Sequence, residues 1–278
     1  MSPTKFLMAG LLLLAFPALA DPALPRVAST MVCADQYPLA LLPPENIIGV
    51  SALGHDPIIS ALADRAAAVP TLKNDAESYI MARADLVVGS EMGDSKTLSS
   101  LQRLGVEVMR IPSRNTFAAI WEELDIVGRK LKSEDTARAI GNDARRRLAA
   151  IPATPAEQRL TGAYYNSGYG SAAAGTYVDE ELKAAGYQSL ATRLGMTGWA
   201  RVDLETLVLH RPQAILLANF AMNTNRLSAR FTQNPVFRKV AGEIKIVTIP
   251  GYKTACGNWT LVDGVEFLHA SRRGGEHP

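Results

Sequence analysis

The sequence predicts an α/β protein. Two Rossmann-like lobes with parallel sheets are joined by a long connector helix, and a ligand cleft lies between them. Three observations predict this. Short β-branched runs alternate with helical segments, the pattern of a parallel sheet covered on both faces. The alternation stops for one long helical stretch and then restarts in the same order. Finally, one phrase is written twice. Asp75-Ala76-Glu77 leads to Asp85-Leu86-Val87, and Asp203-Leu204-Glu205 leads to Gln213-Ala214-Ile215. The interval from the Glu to the polar residue that opens the apolar run is the same in both copies.

Residues 1–20 stand apart from the rest. Lys5 precedes an uncharged apolar run that Pro17 breaks, and Ala18-Leu19-Ala20 offers the small residues a signal peptidase reads. The run is short for a membrane span. Export is therefore expected, with the mature chain starting at Asp21.

The first lobe is expected over residues 21–114. Residues 26–29, 47–50, 86–89 and 106–111 read as strands, and residues 35–42, 76–83 and 95–104 as helices. Residues 115–152 form the helical connector. Ile120, Trp121, Leu124, Val127 and Leu131 recur at helical spacing, and Ser133 is positioned to cap a further helix with Glu134 and Asp135 in its first turn. That helix ends before Pro152. The second lobe, residues 153–278, repeats the grammar. Residues 159–164 answer 26–29, and Thr176 and Asp179 make a capping-box pattern for a helix over 177–185. Residues 205–210 and 214–217 repeat helix then strand. Residues 243–250 answer 106–112, both ending in Ile-Pro.

The chain has 278 residues, 47% hydrophobic and 20% charged, enough for substantial cores. A net charge of +2 gives no argument for nucleic acid or an anionic membrane as partner. His55, His210, His269 and His277 do not pair at metal-ligand spacing, so no bound metal or cofactor is expected. There is no phosphate loop and no nucleophile elbow, and Gly168-Tyr169-Gly170 with Gly175 has the wrong spacing for a dinucleotide fingerprint.

An exported, duplicated α/β chain with a helical connector resembles the periplasmic binding proteins of ABC importers for vitamin B12 and ferric siderophores. The resemblance covers the mature chain and is most specific in the doubled phrase. The family carries Asn-Leu-Glu, a short spacer and Pro-Asp-Leu-Val in lobe one, with a similar Glu motif in lobe two. This chain has Asp75 at the Asn position and Ala84 where Pro is usual. In the family the paired Glu residues sit on the outer tips of the lobes and bind arginines of two permease subunits. The resemblance thus assigns permease docking to Glu77 and Glu205. It implies a monomeric periplasmic solute-binding protein with no catalytic residues. Its expected ligand is a metal chelate: cobalamin, a ferric siderophore or haem. The competing reading is an exported α/β enzyme using Cys33 or His55, for which no base sits at a predictable distance. A free-metal carrier is a third, weakened by the lack of His and carboxylate clusters.

Ligands of open α/β sheets bind beyond the carboxyl ends of the strands. The loops there nominate Cys33, Asp35, Gln36, Tyr37, His55 and Glu91 in lobe one, and Tyr165, Tyr169, Phe220, Tyr252 and Trp259 in lobe two. The aromatic side chains suit a flat ligand. Cys33 and Cys256 are the two cysteines. Three readings stay open for them: unrelated buried residues, a disulfide bridging the lobes, or a thiolate ligand to the chelated metal.

Overall fold

The computed structural model describes residues 24–91, 93, 95–166, 170–220, 235 and 244–272. The expected leader over 1–20, the ligand candidate Tyr169 and the start of the strand expected at 243 lie outside the described residues.

The two sheets share one strand order. In the first, β1 (Val27–Ser29), β2 (Ile47–Gly49), β3 (Leu86–Ser90) and β4 (Glu107–Ile111) lie in the order β2-β1-β3-β4, all parallel. In the second, β5 (Leu160–Tyr165) lies between β7 (Tyr187–Ser189) and β9 (Ala214–Asn219), with β10 (Lys245–Pro250) beyond β9, again all parallel. Each lobe therefore starts on a central strand, steps to one side, then crosses to the other. The second lobe adds a small antiparallel pair, β6 (Ser171–Ala172) with β8 (Trp199–Ala200).

Alternation along the strands divides the core. Val27, Leu86 and Val88 face inward, and so do Tyr164, Ala214 and Leu216; together they join one apolar cluster shared by both lobes. Ala28 and Val87 point the other way, onto α3 (Ala76–Met81) and α4 (Ser95–Arg103), packing with Tyr79, Leu98 and Leu101. Ala163, Tyr165 and Ile215 do the same in lobe two, against α8 (Leu190–Arg193) and α9 (Leu204–His210), packing with Leu190 and Leu207. A strand's period of two, with both faces covered, produces this sandwich. The shared cluster is closed by α1 (Val32–Leu41), α7 (Tyr177–Ala184) and α11 (Leu261–Arg272). Among the described residues two short helices complete the set: α2 (Ala63–Ala66) and α10 (Gly251–Thr254).

The connector is a pair of helices, α5 (Phe117–Lys130) and α6 (Glu134–Ala149). The chain turns between them at Lys132, whose φ is 55°. They pack closely at Gly128, where an added Cβ would stand 2.5 Å from the Ala137 Cβ. Ser133 does not make the expected cap. Its backbone turns the hydroxyl back to donate to the Leu131 carbonyl at 3.3 Å. Thr116 and Thr176 do cap, accepting from the Ala119 and Asp179 N–H groups at 3.2 and 3.1 Å. At the far end of α6, Arg147 Nε donates to Glu266 at 2.9 Å, and the same guanidinium pairs with Asp263. Both acids lie on α11, so the connector is fastened to the second lobe.

Candidate functional site

α1 begins at Val32, three residues before the helix read from the sequence. Cys33, Asp35, Gln36 and Tyr37 are therefore on a helix rather than in a loop. Helical geometry separates their directions. Asp35 is fully buried; it accepts from Ser29 Oγ at 2.6 Å and from the Ser51 N–H at 3.1 Å, tying the end of β1 to the turn Ala52–His55. Burial raises its pKa against the pull of those donors. Gln36 donates to the Val32 carbonyl and to Ser60 Oγ. Neither belongs to the cleft lining. Cys33 and Tyr37, one turn apart, do line it.

The cleft is a cavity of about 210 Å³. Lobe one contributes α1, Ser90 at the end of β3, Ile111 at the end of β4 and residues 112–114 beyond it. Lobe two contributes Tyr177, Trp199 and residues 255–258. The two lobes come close at Gly257, where an added Cβ would lie 2.7 Å from the Arg114 carbonyl oxygen and 3.1 Å from the Tyr177 ring. Any side chain there would wedge the lobes apart. Cys33 and Cys256 are joined as a disulfide, with Cα atoms 5.4 Å apart, and both line the cleft.

Lobe one supplies a fixed cation. Arg114 Nε donates to Glu123 Oε2 at 2.7 Å, and Tyr37 OH donates to Glu123 Oε1 at 2.9 Å. Glu123 is buried on α5, and burial raises its pKa while Arg114 and Tyr37 hold it down. Its hydrogen bond keeps the Arg114 guanidinium charged and oriented toward the cavity that Arg114 lines. Glu91 is exposed and close enough for its charge to disfavour ionised Glu123.

Lobe two supplies an aromatic wall. Trp199 is 49% exposed, with the Tyr177 ring edge-on at 5.9 Å and the Tyr164 ring at 6.4 Å. Tyr177 OH donates to the Ala255 carbonyl at 2.9 Å, fixing the ring beside the disulfide.

The other candidates lie elsewhere. Trp259 is buried in the shared core, edge-on to Tyr37 at 5.0 Å. Tyr165 is buried in the outer core of lobe two. Phe220 is half-buried against the shared core, and Tyr252 is half-buried with Lys253 Nζ 5.3 Å from its ring centroid. His55 is half-buried beside Asp35, outside the lining. Sequence reasoning missed Arg114, Tyr177 and Trp199. Arg114 follows the fourth strand directly, so the carboxyl-end rule covers it. Trp199 sits in a stretch broken by Gly195 and Gly198, both with positive φ, which is the signal of a turn presenting one large aromatic. Among the described residues, no group of three or more His, Cys, Asp and Glu side chains is placed to hold a metal ion. No described helix is long and apolar enough to cross a membrane.

The doubled phrase proves to be one structural unit built twice. Asp75 and Asp203 cap α3 and α9, accepting from the Ser78 and Thr206 N–H groups at 2.8 and 2.7 Å. Those bonds lower the pKa of both. Glu77 and Glu205 are exposed in the first turn. Four residues on, Met81 and Leu209 are exposed at 76% and 78%. Arg83 and Arg211 then share a left-handed backbone, φ 56° and 37°. Asp85 accepts from the Arg26 N–H at 2.9 Å, and Gln213 accepts from the Thr161 N–H at 2.8 Å. Each unit is thereby clamped to the central strand of its lobe.

A family profile described as "Periplasmic binding protein" matches residues 60–242. The fold is similar to a periplasmic heme binding protein from Pseudomonas aeruginosa, at 23% identity and a TM-score of 0.74, covering 92% of this chain and 95% of that one. It is similar to the periplasmic heme binding protein HutB of Vibrio cholerae at 16% identity and a TM-score of 0.70, covering 89% and 98%. It is similar also to the molybdate periplasmic binding protein MolA of Haemophilus influenzae, bound to molybdate, at 14% identity and a TM-score of 0.71, covering 91% and 87%. No curated protein sequence matches the chain.

Proposed function

Because the chain belongs to the periplasmic binding protein family, we propose that it is the exported solute-binding component of an ABC importer. In this reading it takes up a metal chelate between its lobes in the periplasm and delivers it to a dimeric permease, without chemistry of its own. The observation that carries the reading is the cleft. Two lobes of one topology turn the carboxyl ends of their strands toward it, with an aromatic wall on one side and an oriented guanidinium on the other. A chelated metal in a planar ligand has an apolar face and an anionic rim. Trp199 and Tyr177 suit the face, and Arg114 suits the rim. The haem-binding neighbours support the same ligand class. Glu77 and Glu205 are the proposed permease contacts, and their matched surroundings support a partner that is itself two-fold.

The test is titration of the purified mature chain with haemin, cobalamin and several ferric siderophores, followed by quenching of tryptophan emission. One of them is expected to bind saturably with a Kd on the order of 1 μM or tighter. Failure of all of them overturns the chelate reading. One observation favours a smaller ligand: about 210 Å³ falls below the roughly 300–1,000 Å³ of common ligand pockets. Molybdate, followed by calorimetry, therefore belongs in the same series. Binding of molybdate alone replaces the chelate with a compact oxyanion on Arg114.

A further inference from the structure

We infer that the Cys33–Cys256 disulfide is a thiol–disulfide exchange site inside the ligand cleft, open to a small dithiol when the cleft is empty and shielded when it is filled. The inference rests on the cleft being the ligand site. Both cysteines line the cavity. Their environments differ. Cys256 is 5% exposed, whereas Cys33 is half-buried, so a thiolate arriving through the cleft meets the sulfur of Cys33. Cys33 is also the second residue of α1, a ten-residue helix whose start has no side-chain cap. The unpaired N–H groups and dipole of such a helix start stabilise a thiolate there.

The exchange then has a definite course. One thiolate of the dithiol attacks Cys33 Sγ, the S–S bond breaks, and its electron pair leaves on Cys256 Sγ, which takes a proton. The second thiol of the reductant loses its proton and attacks its own sulfur in the mixed disulfide. That expels Cys33 as the thiolate favoured by the helix start. The dithiol ends as a cyclic disulfide, and the protein gains two electrons and one proton, the proton on Cys256 while Cys33 stays a thiolate. The bond removed is the covalent tie between α1 of lobe one and residues 255–258 of lobe two. What remains there is non-covalent: the edge-on contact of Tyr37 with Trp259 and the approach of Gly257 to the Arg114 carbonyl. Reduction therefore frees the lobes to separate and admit a bulkier solute.

The experiment uses the purified mature chain and dithiothreitol without denaturant, trapping thiols with a maleimide at intervals. Reduction is expected within minutes to hours, the ordinary range of such exchange. Glutathione in place of dithiothreitol should leave its adduct on Cys33 by peptide mapping. Small-angle scattering should show a larger radius for the reduced chain and for the Cys33→Ser/Cys256→Ser double variant. Gallium protoporphyrin, a redox-inert haem analogue, should slow reduction about tenfold or more when it quenches tryptophan emission. A bond that resists dithiothreitol until urea unfolds the chain overturns the exchange site, as does an adduct on Cys256. Bound gallium protoporphyrin that leaves the rate unchanged overturns the shielding. Should gallium protoporphyrin not bind, the porphyrin reading of the cleft falls, and the exchange site is still judged by its rate and its adduct.

Discussion

Glu77 and Glu205 occupy the same first-turn position of α3 and α9, each two residues after a capping Asp and each exposed. A first-turn Glu alone is explained by the helix dipole. Two lobes that also repeat the cap, the exposed apolar side chain and the clamp to the central strand share a surface, not just a helix start. Replacing both Glu residues with Ala should shift stability by no more than about 0.5 kcal/mol, as for exposed sites. Affinity for the solute should be unchanged, and uptake by cells carrying the variant should fall severely. Normal uptake with the double variant would remove the docking role.

Met81 and Leu209 are apolar side chains left in water at equivalent places, beside those Glu residues. Their burial against a partner would contribute roughly 1.5–3 kcal/mol each, the value of covering a side chain of that size. Met81→Ser with Leu209→Ser should therefore leave urea denaturation nearly unchanged while weakening docking to permease-containing vesicles. A marked loss of stability in the isolated protein would instead assign them to intramolecular packing.

The two tryptophans near the cleft should respond differently to truncation. Trp199 is half exposed on β8, so Trp199→Ala should weaken solute binding about tenfold or more, the scale of a lost aromatic contact. Stability should be little affected. Trp259 lies in the shared core against Tyr37, so Trp259→Ala should cost about 3–5 kcal/mol of stability. Paired denaturation and binding curves separate the two. An affinity loss for the Trp259 variant at conditions where it is fully folded, with none for Trp199, would reverse the assignment.

The lobes were legible because duplication is written in local signals: caps, strand openers and apolar runs, each readable within a dozen residues. The cleft was less so. Cys33, Asp35, Gln36 and Tyr37 are neighbours in sequence, yet a helix turns Cys33 and Tyr37 to the cavity and Asp35 and Gln36 into the protein. That sorting depends on α1 starting at Val32, and helix starts without a capping side chain leave little trace in sequence. Trp259 follows its strand as a ligand-binding aromatic would, but Tyr37 from the other lobe covers it, a contact no local pattern encodes. The pairing of Cys33 with Cys256 likewise requires the two lobes to be docked first.

Glu181 carries the clearest pH signature. It is fully buried on α7, one oxygen accepting from Thr254 Oγ1 at 2.7 Å and the other meeting no hydrogen-bond donor among the described residues. Burial pushes its pKa from 4.5 to about 8, opposed only by the Thr254 bond. The folded chain thus holds a proton there that the unfolded chain releases near pH 4.5. Its contribution to stability is fully present below that pH and is lost progressively as pH rises to about 8, beyond which it changes no further. Glu181→Gln keeps the shape and the neutral charge of the protonated side chain. The variant should gain stability relative to the parent as pH rises from about 5 to about 8, since it has no proton to release. Urea midpoints of both proteins measured across that range decide the matter. Parallel curves, with a constant difference at every pH, would show that Glu181 is ionised in the fold and that a donor reaches its second oxygen.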